Sequence, residues 1–316
     1  MREHSAAPAH SAPARRAFLL TLAFLAAVTV LALLTPRHAS GPPAQPPVPA
    51  PAPTPRPSPP PTETPQPPPL SPAEYDRLTR VIDDYLAGED CRLSLALHDL
   101  ASGATYSYRA GETYTTASLV KLNILVLLLL RAEDEGRELS AEEERLAAEM
   151  IRYSDNDATN DLYARIGFDA GFARGNERLG LHATRPSGRG VWGATETTAA
   201  DQLRLLRIVF TGDSPLSERS RDYASQLLGT VAPEQAWGIS AAASEGDTVE
   251  LKNGWVPRSS DGDRWVLTSA GRVAGAEHEY LIVVLSDRHR DYAGGIARIE
   301  HVVAEVAAAL SDATRQ

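Results

Sequence analysis

The chain has 316 residues, a formal net charge of −10 and one cysteine, Cys91. An acidic balance without a basic cluster argues against a nucleic-acid surface, and a lone cysteine excludes an internal disulfide. The eight histidines show neither HxH nor HExxH spacing, so a zinc hydrolase is not expected, and no metal or organic cofactor is implied.

In chain order, residues 1–16 form a short polar N-terminus ending in Arg15 and Arg16. Ala17 to Leu34 is an uncharged apolar run of 18 residues, just long enough to span a bilayer. The preceding arginines place the N-terminus in the cytoplasm and the rest outside. Thr35-Pro36-Arg37-His38 offers no clean cleavage site, so a retained single-pass anchor is expected, or a secreted domain if the segment is removed. Arg15-Arg16-Ala17-Phe18-Leu19-Leu20 also resembles a twin-arginine export signal. No cysteine closes the apolar run, as a lipid-anchored protein would need; Cys91 instead opens a strand-like run and is expected to act as a small buried hydrophobe. Residues 35–72 read as a disordered stalk, since 17 of the 31 residues from Pro42 to Pro72 are proline and such chain stays extended.

Residues 73–316 are left for a folded domain. Ala73 to Ala87 has helical spacing behind Ser71-Pro72, a cap and first-turn proline. Arg92 to His98 and Thr105 to Arg109 alternate like half-buried strands around the turn residues of Asp99 to Gly103, predicting a hairpin. Ala117 to Ala132 is apolar nearly all round, a helix buried on every side. Helices are predicted at about Ser140 to Tyr153 and Asp157 to Ile166, then a loop to Glu196, and a helix opened by a Thr198-x-x-Asp201 capping box. Strands follow at Thr248 to Lys252, Trp265 to Gly271 and Glu279 to Ser286, with a closing helix from Ile296 to Leu310. This order predicts an α/β (α+β) domain in which a five-stranded antiparallel sheet is flanked by helices, with an all-helical insertion over about 123–198. A ligand cleft is expected between the two parts.

The chemistry is most legible in the lysines. Of 31 basic residues only Lys121 and Lys252 are lysine, the one basic side chain that burial can readily strip of its proton. Lys121 lies in the apolar helix, where desolvation disfavours its charge. Ser118, three residues earlier, shares its helical face. A neutral amine beside a serine hydroxyl is a nucleophile with its base, and a first-turn position favours developing negative charge. Two further triplets stand downstream: Ser154-Asp155-Asn156 where two helices meet, and Lys252-Asn253-Gly254 at the end of a strand.

In this order and on these elements, the three boxes resemble the SxxK, SDN and KTG motifs of class A β-lactamases and penicillin-binding proteins. The resemblance covers the whole folded domain, and both lysines of the chain fall within it. It implies a β-lactamase-like fold in which Ser118 is acylated and Lys121 helps take its proton. It further implies that Ser154 relays a proton to the leaving nitrogen beside Lys252, and that Asn156 bonds the substrate amide. Backbone N–H groups of Ser118 and Trp255 would form the oxyanion hole, Lys252 and Asn253 would receive the substrate carboxylate, and Gly254 would leave room for substrate against the strand. Asp155 is expected to buttress the helix junction.

Two positions depart from the pattern. Asn253 stands where threonine or serine is usual, which predicts altered preference. Class A β-lactamases also carry a glutamate between the second and third boxes that directs the deacylating water, yet Leu179 to Ala194 holds no acid. Glu196, the nearest on the far side, is the candidate base; its other reading is a favourable charge at a helix start. Asp169 and Glu177, before the stretch, are weaker candidates. The expected activity is that of a membrane-tethered, monomeric, extracytoplasmic β-lactamase, opening β-lactam rings with slow deacylation. The alternatives are a D-alanyl-D-alanine peptidase acting on peptidoglycan stem peptides, or a domain that only captures such ligands.

Overall fold

A computed structural model describes residues 70–314. The expected anchor, and the stalk up to its last residues, lie outside them. Among the described residues no helix is long and apolar enough to cross a membrane.

The domain opens with helix α1 (Pro72–Leu86), capped by Ser71 and Glu74 in a reciprocal capping box with proline in the first turn. Strands β1 (Arg92–Asp99) and β2 (Thr105–Tyr108) pair as the predicted hairpin, with Leu95 opposite Tyr108. Cys91, just before β1, is only half-buried. The short β3 (Thr113–Thr115) leads into a 3-10 turn, Ala117–Leu119, which continues as helix α2 (Val120–Asp134). The helical block continues with α3 (Ala141–Arg152), α4 (Asn156–Arg165) and α5 (Phe168–Arg178). It then passes through β4 (Glu196–Thr198), α6 (Ala199–Phe210) and α7 (Glu218–Leu228). The chain returns to the sheet with β5 (Thr248–Arg258), β6 (Arg264–Ala274) and β7 (Glu279–His289), and ends on helix α8 (Tyr292–Thr314).

The five-stranded sheet has the order β2-β1-β7-β6-β5 with every neighbouring pair antiparallel. Its central strand β7 is buried on both faces, which explains why its sequence is a continuous apolar run instead of an alternation. Leu281, Val283 and Leu285 join the core beneath the helical block, whereas Tyr280, Ile282 and Val284 join the core shared with α1 and α8. The first core also takes in α2, whose side chains are buried almost without interruption from Val120 to Leu130.

Several elements differ from the sequence expectation. The stretch expected as a loop up to Glu196 contains α5, whose N-cap Gly167 sits at φ 92 and gives no side-chain signal. The helical block expected to end near residue 198 runs on to Leu228, because α6 and α7 pack into the same core as α2. Thr198 caps α6 as predicted. The capping box is not reciprocal, however: the Asp201 carboxylate accepts from the Ala183 N–H and the Thr184 hydroxyl instead.

Candidate active site

The nucleophile's segment is fixed from two sides. Ser118 sits in the 3-10 turn, half-buried, between buried Ala117 and Leu119. Ala117 is held at φ 48, a left-handed conformation that costs a non-glycine residue about 1–3 kcal/mol and persists only where its surroundings impose it. On the sheet side, β5 presses against this turn at Gly254. A Cβ there would lie 2.6 Å from Leu119 N, Thr116 O and Thr268 Oγ1. The glycine of the third box is thus required by close approach of the nucleophile's own backbone, a different reason from the clearance for substrate expected from sequence. Thr268, paired with Gly254 across β5–β6, donates to Thr116 O at 3.0 Å and ties the same junction together.

Lys121 projects from the first turn of α2 and is fully buried. Its Nζ donates to Ser154 O at 2.6 Å, Ser154 Oγ at 3.0 Å and Asn156 Oδ1 at 2.9 Å. Burial lowers its pKa to about 8 against the opposing charge of Asp155. None of its three acceptors is Ser118, so acting as the base for Ser118 requires it to release one of them. Asp155 caps α4 through the Ala158 N–H at 2.7 Å, as the sequence suggested. Ser154 is held at φ 54, a second left-handed residue at the site.

Lys252, on β5, is also fully buried. Its Nζ donates to Ser154 Oγ at 3.2 Å, Asn253 O at 2.8 Å and Gln235 Oε1 at 3.5 Å. Burial, and then the charge of Lys121, push its pKa well down. Two amines sharing one hydroxyl titrate as a pair, and the second proton is the harder one to keep. Ser154 Oγ accepts from both amines, which engages both of its lone pairs and leaves its own proton to be donated elsewhere.

The remaining predicted residues divide. Asn156, Trp255 and Glu196 line a cleft of about 400 Å³ together with Ser118, Trp192 and Arg258. Because Asn156 Oδ1 is taken by Lys121, its amide nitrogen is the end left for a ligand. Asn253 is not brought to the cleft. It is buried, with Nδ2 donating to Gln235 O at 2.6 Å and Trp237 O at 3.0 Å, and its Oδ1 has no hydrogen-bond partner. Asp169 bonds the Tyr163 hydroxyl and the Gly190 N–H, and Glu177 bonds His182. Neither lines the cleft. A larger cavity, about 550 Å³, lies between the end of α8 and the β6–β7 turn, but it holds none of the three boxes, so chemistry and not size selects the smaller one. Among the described residues no group of three or more His, Cys, Asp or Glu is placed to hold a metal ion.

Sequence reasoning missed Trp192, whose ring lies 4.9 Å from Lys121 Nζ and whose Nε1 donates to Asn160 Oδ1 at 2.8 Å. It stands in a glycine-rich stretch without periodicity, so only its bulk could have marked it. Gln235 and Thr268 were missed as well, because their partners are remote in sequence.

The fold has known relatives. The profile described as the beta-lactamase enzyme family matches residues 77–145 and 136–314, and the chain belongs to that family. The protein named "Putative lipoprotein LppW" of Mycobacterium tuberculosis is 29% identical over 253 residues, 75% of this chain and 78% of that protein. Among solved structures, a PBP-A mutant in an acyl-enzyme complex with penicillin G superposes with a TM-score of 0.65 at 22% identity, covering 79% of this chain and 100% of its own. A β-lactamase from Streptosporangium roseum gives 0.63 at 24%, covering 75% and 99%. The extended-spectrum β-lactamase TLA-3 gives 0.67 at 14%, also covering 75% and 99%. At these identities the structural likeness establishes the fold.

Proposed function

We propose that the domain is an active-site-serine hydrolase that opens β-lactam rings by acylation of Ser118 and releases the acyl group slowly. The observation that carries this reading is that Lys121 and Lys252 both meet the Ser154 hydroxyl and Lys121 also meets Asn156, which shares a cleft with Ser118, with no carboxylate among the described residues bonded to either amine. In the proposed step, Ser118 Oγ attacks the lactam carbonyl carbon and its proton passes to the neutral amine of Lys121. The carbonyl carbon–nitrogen bond then breaks, and the nitrogen takes the proton of the Ser154 hydroxyl, which the neighbouring lysines replace. The N–H groups of Ser118 and Trp255 are the proposed donors to the oxyanion. Water attack on the acyl-enzyme lacks an equally placed base. Among the described residues the only acid on the cleft is exposed Glu196, and the aromatic ring of Trp192 covers Lys121 on that side.

A D-alanyl-D-alanine peptidase would use the same acylation step on a peptidoglycan stem and is separated from this reading by its acyl donor. The proposed location is outside the cytoplasm, tethered by residues 17–34 with the domain as a monomer. LppW is called a lipoprotein, but here the single cysteine is Cys91, preceded by α1 within the core, so lipidation at a processed N-terminal cysteine would discard part of the fold.

Intact-protein mass spectrometry of residues 70–316 after addition of benzylpenicillin tests the proposal. The expected result is a penicilloyl adduct that is absent in Ser118→Ala and decays over minutes to hours. An adduct in both proteins, or in neither, overturns it.

A further inference from the structure

The cleft beside Ser118 carries two opposite charges that are left open. Of the described residues lining it, only Glu196 and Arg258 are charged, and both are exposed. Among the described residues neither forms an ion pair, the Glu196 carboxylate has no hydrogen bond, and Arg258 reaches only the Thr115 hydroxyl, at 3.3 Å. Elsewhere exposed arginines close onto acids, as Arg131 does with Glu135 and Arg145 with Glu149.

Strand register sets these two charges side by side without joining them. In the β3–β4 pair Glu196 lies directly opposite Thr115, so the two side chains leave the same face with their Cβ atoms about 5 Å apart. Arg258, at the end of β5, donates to that same Thr115 hydroxyl. Thr115 therefore stands between a carboxylate and a guanidinium. Arg185, the other cross-strand neighbour of Glu196, makes no ion pair with it and does not line the cleft. Val191, Trp192 and Val256 supply apolar surface in the same space.

We propose that Glu196 and Arg258 recognise the side chain of the acyl donor, and that the preferred donor carries an α-amino-acid end on an alkyl arm. Its ammonium pairs with Glu196, its carboxylate is held by the planar fork of Arg258, and the arm lies along the apolar surface. A lone cation or a lone anion would leave one of the two charges unmatched. This inference rests on Ser118 being the acylated residue. It also assigns Glu196 a role other than water activation, and the two roles are separable: a base acts on release of every acyl group alike, whereas a recognition group acts on the choice among donors.

The test uses four cephalosporins with one nucleus and different acyl arms: aminoadipyl (ammonium and carboxylate), glutaryl (carboxylate only), 5-aminopentanoyl (ammonium only) and pentanoyl (neither). Second-order acylation constants are read by mass spectrometry at low and high salt. The expected order places aminoadipyl roughly fivefold or more above pentanoyl at low salt, with the gap narrowing as salt screens exposed charges. Arg258→Gln is expected to remove the advantage of the carboxylate arms alone, and Glu196→Gln that of the ammonium arms alone. Equal constants for aminoadipyl and pentanoyl in the unaltered protein overturn the inference. So does a uniform loss across all four donors in both variants, which would mark Glu196 and Arg258 as structural. Acylation by none of the four overturns the inference too, and only if benzylpenicillin also leaves no adduct does the role of Ser118 fail with it.

Discussion

The two sides of the cleft differ in how completely they are built. On one side Lys121 and Lys252 are fully buried and each amine meets three acceptors. The segment bearing Ser118 is locked by backbone that approaches too closely for any side chain at Gly254. On the other side, Val191 is 54% exposed, Trp192 is half-buried, and Glu196 is exposed, with no partner for its carboxylate among the described residues. Desolvation and fixed geometry, the ingredients of an activated nucleophile, are concentrated on the first side. On the proposed function the difference separates two half-reactions: the buried amines serve bond-making at Ser118, whereas among the described residues the cleft offers no acid but exposed Glu196 to activate water against the acyl-enzyme.

The strongest attempt to break this contrast removes the proposed base. Lys121→Met is expected to lower the acylation constant by about 10²–10⁴-fold, the usual contribution of a general base, with the far-ultraviolet dichroism retained. Near-normal acylation would mean that Lys121 only fills space. Gly254→Ala comes next. Its Cβ must displace the backbone at Thr116 and Leu119, and a shift of that size at a nucleophile costs about 10²-fold. Rapid-quench acylation kinetics would show the loss, and an unchanged rate would mean that this junction does not position Ser118.

Changing the other side should sharpen the contrast. Trp192→Glu puts a carboxylate on the side of Lys121 that now faces the ring, 4.9 Å away. The half-life of the acyl-enzyme is expected to shorten about tenfold or more, within the range of a positioned base. An unchanged half-life would mean that slow release has another cause.

The pH dependence follows from Lys121. Burial lowers its pKa from the ordinary 10.5 to about 8, so at pH 7 about a tenth of it is neutral. In the proposed step the neutral amine is the active form, so acylation should rise nearly tenfold per unit up to pH 7 and level off above pH 8. A rate still climbing at pH 10 would show a lysine that burial has not perturbed.

The smallest expected effect lies away from the cleft and serves as a control for stability. Burial alone would raise the pKa of Glu143, but hydrogen bonds from Arg137 and Ser140 outweigh it and hold it at about 2. The folded value lies below the unfolded one, so this stabilisation is complete above about pH 4.5 and is lost as pH falls towards 2. Arg137→Ala should cost about 1–3 kcal/mol at neutral pH and flatten the acid decline. Urea melts over pH 2–6 would show this, with acylation at pH 7 unaffected.

How far the sequence could be read depended on whether the signal was local. The sheet, its hairpin and the buried α2 follow from apolar patterning, and the three boxes stood out because lysine occurs only within two of them. What escaped was set by partners distant in the chain. Asn253 looked like a ligand to substrate, yet its amide serves the carbonyls of Gln235 and Trp237. Gly254 looked like clearance for substrate, yet the space is filled by residues 116–119 and 268. The helix α5 starts from a left-handed glycine instead of a capping side chain, and no local rule marks Trp192 as the neighbour of Lys121.

The central claim is that the acylation machinery is complete while the deacylation arm is missing. The most direct test measures both rate constants on one protein, following benzylpenicillin from mixing to release by rapid quench and mass spectrometry at pH 8. The account predicts that acylation outpaces deacylation by at least about 10²-fold, the least that an absent general base should cost, with nearly all protein held as the Ser118 adduct. Deacylation as fast as acylation, with free enzyme predominating during turnover, would contradict it.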